Sequence, residues 1–286
     1  MYYEFQWTKA AYHRNLITQE YEPIQPFLLY ALADHAQCGR FLDIGANIGV
    51  YSFFLSRLPS ITAIHAYEAN PETAREMRRN VEANALTDRI VIHQEALSDA
   101  IGETAFAVIG ELSGANGILK TTIHGASKIA RQVTVETTTL DHVFDTLCDE
   151  SVCIKIDVEG HENEVLQGGD AFLRANRALV QMEAYDDAGS AAAQSLVAKG
   201  YEKIASIGSD HYFTNIAELQ SADVTVAAFQ RASEFAVKSN HARAAGMVDG
   251  TLPLRLSMGN NAALIFSGRK AKRVRKLRKL LGMKTK

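Results

Sequence analysis

The chain has 286 residues, of which 47% are hydrophobic and 22% are charged, an ordinary mixture for a folded globular protein. This apolar content excludes a chain that is disordered throughout, and no run of about 18 apolar residues predicts a membrane-spanning helix. The three cysteines, Cys38, Cys148 and Cys153, have no CxxC spacing, which argues against a disulfide framework and a zinc knuckle. Because the N-terminus also lacks an apolar signal segment, we expect a cytoplasmic protein.

The charge is divided unevenly along the chain, although the net charge is only −3. Residues 268–286 contain ten basic residues and no acidic one, which leaves residues 1–267 with 20 basic residues, 33 acidic residues and a net charge of −13. A helix in this tail would be amphipathic, with a narrow apolar stripe at Val274, Leu277 and Leu280. Such a tail suits peripheral contact with an anionic membrane or another polyanion, and the alternative is a solvated tail or one docked on the acidic body.

Predicted strands and helices alternate along most of the chain. The strands are expected at residues 40–44, 61–67, 89–93, 103–108, 132–139, 152–156, 179–182, 201–207 and 211–215. The first helix is expected to begin near Pro23 and to end before Gly39. Further helices are expected at residues 49–57, 72–85, 140–147, 161–167, 190–199 and 222–245. The glycine-rich residues 109–131 predict a loop, and residues 257–266 are expected to form a late strand.

This alternation indicates a parallel sheet that is covered by helices on both faces. In such sheets, ligands bind beyond the carboxyl ends of the strands, at the point where the strand order reverses. The residues that directly follow each predicted strand are therefore the first candidates for a functional site.

The turn after the first predicted strand has the sequence DIGANIG at residues 43–49. Gly45 and Gly49 permit a tight turn, but their spacing is GxxxG and not the GxGxxG of dinucleotide-binding turns. Asp43 would repel a diphosphate and attract a cation, and Glu68, 25 residues later at the end of the second strand, is placed to accept the hydroxyls of a ribose. These features predict an adenosyl ligand without phosphates, namely S-adenosylmethionine, and they disfavour an NAD-dependent oxidoreductase.

A second group of ionisable residues follows the fourth core strand, in the sequence IKIDVEGHE at residues 154–162. Asp157, Glu159 and His161 are concentrated at a strand end, where an α/β enzyme carries its chemistry. The last two residues of this segment begin like the zinc motif HExxH, but Val165 stands at the position of the second histidine. The sequence therefore predicts no zinc site here.

Five segments together resemble the FkbM-type family of S-adenosylmethionine-dependent methyltransferases. They are DIGANIG at 43–49, YEANP at 67–71, EALSDAIG at 95–102, TLDHVF at 139–144 and IKIDVEGHENEVLQGG at 154–169. The most specific of them is KIDVEGHE with the paired glycines that follow it. The resemblance extends from about residue 40 to residue 185, and it implies a class I methyltransferase fold, which is a Rossmann-like, doubly wound α/β fold with a seven-stranded sheet whose last strand is antiparallel.

The resemblance also implies methyl transfer, usually to a hydroxyl oxygen of a sugar, a glycoconjugate or a secondary metabolite. The cofactor-binding residues that it implies are Asp43, Gly45, Asn47 and Gly49 for the methionine part of S-adenosylmethionine, Glu68 for the ribose, Ala96 with Glu95 or Asp99 for the adenine, and Asp157 near the reacting methyl group. The neighbouring carboxylates could hold Mg²⁺, but we do not favour a metal, since solvated carboxylate pairs are commoner than metal sites.

Methyl transfer to a hydroxyl needs a base within hydrogen-bond reach of the acceptor. We expect His161 first in this role, followed by Asp157, Glu159 and Glu183, and the alternative for His161 is that it only satisfies backbone groups at the start of its helix. Glu183 and Tyr185 follow the fifth core strand and are expected to bind acceptor hydroxyls, or else to form only a polar turn.

The expected organisation has four parts. Residues 1–39 form an N-terminal helical segment, residues 40–215 the methyltransferase domain, residues 216–267 an extension of unknown role and residues 268–286 the basic tail. The expected partner is a small-molecule or glycan acceptor. The alternative function is an RNA or other nucleic-acid methyltransferase or binding protein that uses the tail, although the acidic body disfavours a large phosphate-binding surface. The sequence assigns no role to His124 in the predicted loop.

Overall fold

The computed structural model describes residues 22–110, 113–184 and 191–247. Four features expected from the sequence therefore lie wholly or partly outside the described residues, namely residues 1–21 of the N-terminal segment, Tyr185, the predicted strand at 257–266 and the basic tail at 268–286.

Two sheets account for the strands of the described residues. In chain order from β1 to β11, the strands are Arg40–Ile44, Ala63–Tyr67, Ile90–His93, Ala96–Leu97, Gly102–Val108, Gly117–Ile118, Arg131–Thr138, Ser151–Ile156, Arg177–Glu183, Glu202–Ile207 and Asp210–Thr214. The main sheet has seven strands in the order β10-β11-β9-β8-β1-β2-β3, and the smaller sheet has four in the order β4-β7-β5-β6.

The main sheet is parallel except for β11, which is antiparallel to both of its neighbours. This arrangement confirms the class I methyltransferase fold predicted from the sequence. β1 lies at the centre, paired with β2 on one side and with β8 on the other, so the strand order reverses at β1. The register places the last residue of β1 opposite the last residues of β2 and β8, and Gly45, Glu68 and Asp157, which follow these ends, therefore emerge at the same edge.

Eight α-helices accompany these strands in the described part of the chain. In chain order from α1 to α8, they are Gln25–His35, Val50–Leu55, Pro71–Ala83, Leu140–Val143, Glu162–Gln167, Asp170–Ala175, Ala191–Ala198 and Ala222–Met247. The start of α3 shows the predicted capping, since the side chain of Asn70 accepts a hydrogen bond from the backbone N–H of Glu72. No helix in the described ranges is both long enough and apolar enough to cross a bilayer.

Helices pack on both faces of the main sheet. On one face, Phe27 of α1 meets Phe54 of α2 edge to face with ring centroids 5.1 Å apart, and Ala232 of α8 is fully buried in the same cluster. On the other face, α5, α6 and α7 cover the sheet. Successive residues of β1 join opposite clusters, Phe41 the first and Leu42 the second, which explains why these strands read as almost continuous apolar runs.

The smaller sheet is a feature that the sequence does not predict, although it predicts strands at 103–108 and 132–139. β5 and β7 pair antiparallel along their whole length, with β4 and β6 at the two edges. The apolar cluster of this sheet includes Phe106 and Ile118 and reaches Ala69, which follows β2. β6 lies within the predicted loop, because a strand of two residues is too short to produce a periodic pattern.

The helices differ from the prediction in two places. α4 ends at Val143, four residues earlier than predicted, and α6, which begins at Asp170 directly after the paired glycines, is not predicted from the sequence. The paired glycines before α6 serve close packing as well as helix termination, since a Cβ at Gly168 would lie 1.9 Å from the carbonyl oxygen of Ser98. The helix predicted at 222–245 is confirmed, and it packs with α1 on the same face of the sheet.

Candidate functional site

A cleft lies at the carboxyl ends of β1, β2 and β8, where the strand order reverses. It brings together seven of the residues singled out from the sequence, namely Gly45, Asn47, Glu68, Glu95, Ala96, Asp157 and His161. The smaller sheet and the loop between β5 and β6 add residues that the sequence does not single out, namely Phe106, Ser113, Gly114, Asn116, Gly117 and Ile118. The cleft therefore lies between the edge of the main sheet and the smaller sheet.

The glycine turn after β1 lies directly against the turn after β8. Gly45 has a φ of +79°, and a Cβ at this position would lie 1.8 Å from the backbone carbonyl oxygen of Asp157. The backbone N–H groups of Gly45 and Ala46 both donate to the carbonyl oxygen of Tyr67, at 3.0 and 2.9 Å. Only a residue without a Cβ allows this approach, so the glycine joins the ends of β1, β2 and β8 into one wall of the cleft.

Glu68 is held at the end of β2 by two backbone donors. Its Oε2 accepts a hydrogen bond from the N–H of Asn47 at 2.9 Å, and its Oε1 accepts one from the N–H of Asn70 at 2.8 Å. Each carboxylate oxygen keeps further acceptor capacity, which is suited to the hydroxyls of a ribose. Burial raises the pKa of Glu68 to about 7, while the two N–H groups act in the opposite direction.

Two polar atoms of the cleft lining have no hydrogen-bond partner among the described residues, Asn47 Oδ1 and the hydroxyl of Tyr67. Buried polar atoms are nearly always paired, so these two atoms indicate a place for a polar ligand or for water. The lining also contains three acidic side chains, Glu68, Glu95 and Asp157, and no Lys or Arg among the described residues. Such a lining favours a cationic ligand and disfavours phosphate.

An aromatic stack borders the same cleft. The ring of Tyr67 stacks on that of His93 at 4.4 Å, and His93 stacks on His65 at 5.4 Å. Burial lowers the pKa of His65 to about 4 and also lowers the pKa of His93, so both rings are neutral at pH 7. Glu95 lies 3.6 Å from His93 and lines the cleft, at the place where the resemblance implies the adenine.

Three residues implied for the cofactor do not line the cleft. Asp43 is 1% exposed, and its Oδ2 accepts hydrogen bonds from the backbone N–H and the hydroxyl of Ser52 at 3.0 and 2.6 Å, which connects β1 to α2. Gly49 lies at the start of α2, and Asp99 is exposed and accepts a hydrogen bond from the hydroxyl of Ser98. Their roles toward a cofactor stay predictions.

Carboxyl groups gather beside the cleft at the ends of β8 and β9. The negative charge of Asp157 acts on the carboxyl group of Glu183, and the hydroxyl of Ser209 donates a hydrogen bond to Glu183 at 2.9 Å. Burial, followed by the charge of Asp157, raises the pKa of Glu183 to about 7 and that of Glu159 to about 8. No group of three or more His, Cys, Asp or Glu in the described ranges is arranged to hold a metal ion.

A buried lysine that has no predicted role balances part of this negative charge. Lys155 is 3% exposed, donates a hydrogen bond to Asp157 at 2.7 Å and lies 4.7 Å from the ring centroid of Tyr51. Burial alone would lower the pKa of Lys155, but Asp157, Glu22 and Asp43 together raise it above its usual value. The signal in the sequence is a lysine within an apolar strand, which requires a buried partner.

His161 is buried, and both of its ring nitrogens are engaged. Nε2 lies 2.9 Å from the hydroxyl of Ser98, and Nδ1 lies 2.9 Å from the hydroxyl of Thr121. Burial lowers the pKa of His161. The geometry therefore favours the alternative in which His161 only forms hydrogen bonds to its neighbours, although these are hydroxyls and not the expected backbone groups. Its role as a base stays a prediction.

Residues 43–216 match the methyltransferase FkbM domain family. The chain is 28% identical over 144 residues to the hexuronic acid methyltransferase AglP of Haloferax volcanii, a match over 50% of this chain and 55% of that protein. It is 32% identical over 82 residues to the tRNA1(Val) (adenine(37)-N6)-methyltransferase of Dyadobacter fermentans, over 29% of this chain and 34% of that protein. The matched part thus spans about half of the first curated relative and about a third of the second.

Two solved structures have a similar chain path. One is the methyltransferase FkbM from Methylobacillus flagellatus KT, at 13% identity and a TM-score of 0.44, covering 62% of this chain and 44% of that one. The other is the O-methyltransferase from Bacillus cereus in complex with SAH, at 13% identity and a TM-score of 0.42, covering 72% and 86%. The family match covers more than half of the chain and includes the glycine turn, Glu68 and the KIDVEGHE segment. The chain therefore belongs to the methyltransferase FkbM domain family.

Proposed function

We propose that the protein transfers the methyl group of S-adenosylmethionine to a hydroxyl group of a sugar, a glycoconjugate or a secondary metabolite. The observation that carries this proposal is the cleft, whose described lining contains three acidic side chains and neither Lys nor Arg. A sulfonium compound that has a ribose and no phosphate suits this lining better than a dinucleotide does. The similarity to a hexuronic acid methyltransferase supports a carbohydrate acceptor.

The polar atoms of the cleft match the parts of S-adenosylmethionine. Glu68 has acceptor capacity for the ribose hydroxyls, and Asn47 Oδ1, which has no described partner, is suited to accept a hydrogen bond from the ammonium group of the methionine part. The stack of Tyr67 and His93, together with Glu95, would border the adenine. When bound, the cofactor supplies an activated methyl group.

The acceptor would lie beside the carboxyl groups at the ends of β8 and β9. Methyl transfer requires the acceptor oxygen to be aligned with the methyl carbon and the sulfur, and the hydroxyl must lose its proton. Asp157 lines the cleft and is fixed by Lys155, so we propose that it positions the acceptor hydroxyl. Glu183, which is held by Ser209, is suited to bind a further hydroxyl of the same acceptor.

A second candidate function is the methylation of RNA or another nucleic acid. The similarity to a tRNA methyltransferase and the ten basic residues at 268–286 favour it. The net charge of −13 on residues 1–267 and the absence of Lys and Arg from the described lining of the cleft weigh against it.

The decisive experiment combines cofactor binding with an acceptor screen. We expect calorimetry to show saturable binding of S-adenosylmethionine, and tritium from its methyl group to appear in at least one member of a panel of neutral sugars, uronic acids, glycolipids and phenols. Label that appears only in bulk tRNA would establish the second candidate. A folded protein that does not bind S-adenosylmethionine would contradict both functions.

A further inference from the structure

The segment at residues 117–125 crosses the turn that follows β8 and is attached to it at several points. The backbone N–H of Ile123 donates to the carbonyl oxygen of Glu159 at 3.3 Å, and the hydroxyl of Thr121 meets His161 at 2.9 Å. The backbone N–H of His124 donates to the hydroxyl of Thr122 at 3.3 Å. The position of His124 is therefore defined relative to the acceptor side of the cleft.

His124 and Glu159 form a histidine–carboxyl pair in this place. Nε2 of His124 lies 3.0 Å from Oε2 of Glu159, and the two side chains are 19% and 10% exposed. Nδ1 of His124 has no hydrogen-bond partner among the described residues. The pair thus resembles the general arrangement in which a carboxylate orients an imidazole and leaves its second nitrogen available for proton transfer.

The pair adjoins the residues that would hold the acceptor. A Cβ at Gly117, which lines the cleft, would lie 3.3 Å from the Cβ of Glu159. The charges of Asp157, Glu183 and Glu162 raise the pKa of Glu159, and the charge of Lys155 acts in the opposite direction. Asp157 lines the cleft, and His161, the other histidine at this edge, has both ring nitrogens engaged by hydroxyls. Among the histidines near the cleft, His124 thus combines a carboxyl partner with an unengaged ring nitrogen.

We propose that His124, oriented by Glu159, accepts the proton of the acceptor hydroxyl during methyl transfer; this inference rests on the proposed function. The acceptor oxygen forms its bond to the methyl carbon as the carbon–sulfur bond breaks, and the electron pair of that bond remains on the sulfur. The hydroxyl proton moves to Nδ1 of His124, and the carboxylate of Glu159 compensates the positive charge that forms on the ring.

The protonation state of the pair gives the inference a measurable signature. Burial, followed by the charges of Asp157, Glu183 and Glu162, raises the pKa of Glu159 to about 8. Below this pH the carboxyl proton is donated to Nε2, so Nδ1 carries the other ring proton and cannot accept one. Above it, the carboxylate accepts from Nε2–H and Nδ1 is free, so turnover rises with pH toward about 8.

The first test uses the full chain and the acceptor found by the screen. His124→Ala should lower kcat about 100-fold, as for the loss of a general base, and leave the KM for S-adenosylmethionine within about twofold. Added imidazole should restore part of the lost turnover, whereas the exposed His35→Ala should behave as wild type. Turnover of His124→Ala at the wild-type rate would overturn the inference while the proposed function stands.

The second test does not require an acceptor. Nitrogen-15 NMR of the histidine rings at about pH 9 should show His124 as the tautomer with its proton on Nε2 and none on Nδ1, and this preference should be lost in Glu159→Gln. If His124 has the same tautomer distribution in the wild type and in Glu159→Gln, Glu159 does not orient the ring and the inference is wrong. Failure to bind S-adenosylmethionine would instead contradict the proposed function.

Discussion

Lys155, the second-last residue of β8, forms an ion pair of 2.7 Å with Asp157, the first residue beyond that strand. The two side chains are 3% and 15% exposed. A buried cation without a partner is costly, and so is a buried carboxylate. The pair therefore fixes the side chain of Asp157 at the cleft and makes the stability of the sheet edge depend on a residue of the site.

Breaking this pair should destabilise the protein. Lys155→Met should lower the free energy of unfolding by about 3 kcal/mol, because it leaves Asp157 without its buried counterion. The double variant Lys155→Met/Asp157→Asn should lose less free energy of unfolding than the sum of the losses in the two single variants. Denaturant unfolding measures both quantities. Arg174→Met, which removes an exposed pair with Asp170, is the matched control and should change stability little. Additive effects in the double variant would show that the pair is not coupled.

Glu68 should control the affinity for S-adenosylmethionine. Glu68→Gln should weaken binding about 10- to 100-fold, since a hydrogen bond to a charged group contributes about 1.5–3 kcal/mol. Because burial raises the pKa of Glu68 to about 7, the wild-type affinity should rise as the pH passes upward through this value, and Glu68→Gln should lack this dependence. Calorimetry from pH 6 to pH 8 tests both expectations. Glu82→Gln, at an exposed position of α3, should bind as the wild type does.

Gly45 should tolerate no side chain. Gly45→Ala introduces a Cβ 1.8 Å from the carbonyl oxygen of Asp157, at a φ of +79°. Gly200 has a similar φ of +88° but open space around its Cβ position, so Gly200→Ala isolates the cost of the backbone conformation, about 1–2 kcal/mol. Thermal unfolding should show a much larger loss for Gly45→Ala, together with loss of cofactor binding. Equal losses in the two variants would contradict the close approach of the two turns.

The sequence predicts the part of the site that depends on strand ends. Gly45, Asn47, Glu68 and Asp157 all directly follow a predicted strand or lie in the turn after one, and parallel strands bring their carboxyl ends to one edge. These four residues line the observed cleft. Local pattern and parallel topology are sufficient for this step, because no long-range contact has to be known in advance.

The rest of the site depends on contacts between distant segments. The smaller sheet pairs strands that are separated by a long loop, and its contribution to the cleft through Phe106 and Ile118 has no local signature. His124 reaches Glu159 only because the loop crosses the turn after β8, across 35 positions of sequence. Lys155 and its partner Asp157 are only two residues apart in the sequence, but the contact of Lys155 with the ring of Tyr51 depends on the position of α2 in the fold.

The histidine stack should make stability depend on pH. Burial lowers the pKa of His65 to about 4, below the value of about 6.5 for an unfolded chain, so the unfolded state binds more protons between these values. The stabilising contribution is therefore complete above pH 6.5 and is lost as the pH falls toward 4. His65→Gln should reduce the fall in unfolding free energy over this range, while the exposed His35→Gln should not. An unchanged pH dependence in His65→Gln would show that this ring is not held neutral.

The basic tail should act separately from catalysis. Its ten positive charges lie in residues 268–286, outside the described structure, whereas the cleft is formed within residues 44–161. Deleting the tail should abolish binding to vesicles that contain anionic lipid, since each cation near such a surface contributes about 1 kcal/mol, and should leave methyl transfer to a water-soluble acceptor unchanged. Vesicles of neutral lipid and a heparin column distinguish membrane contact from general polyanion binding. A folded truncation that binds S-adenosylmethionine but transfers no methyl group would show that the tail takes part in acceptor recognition.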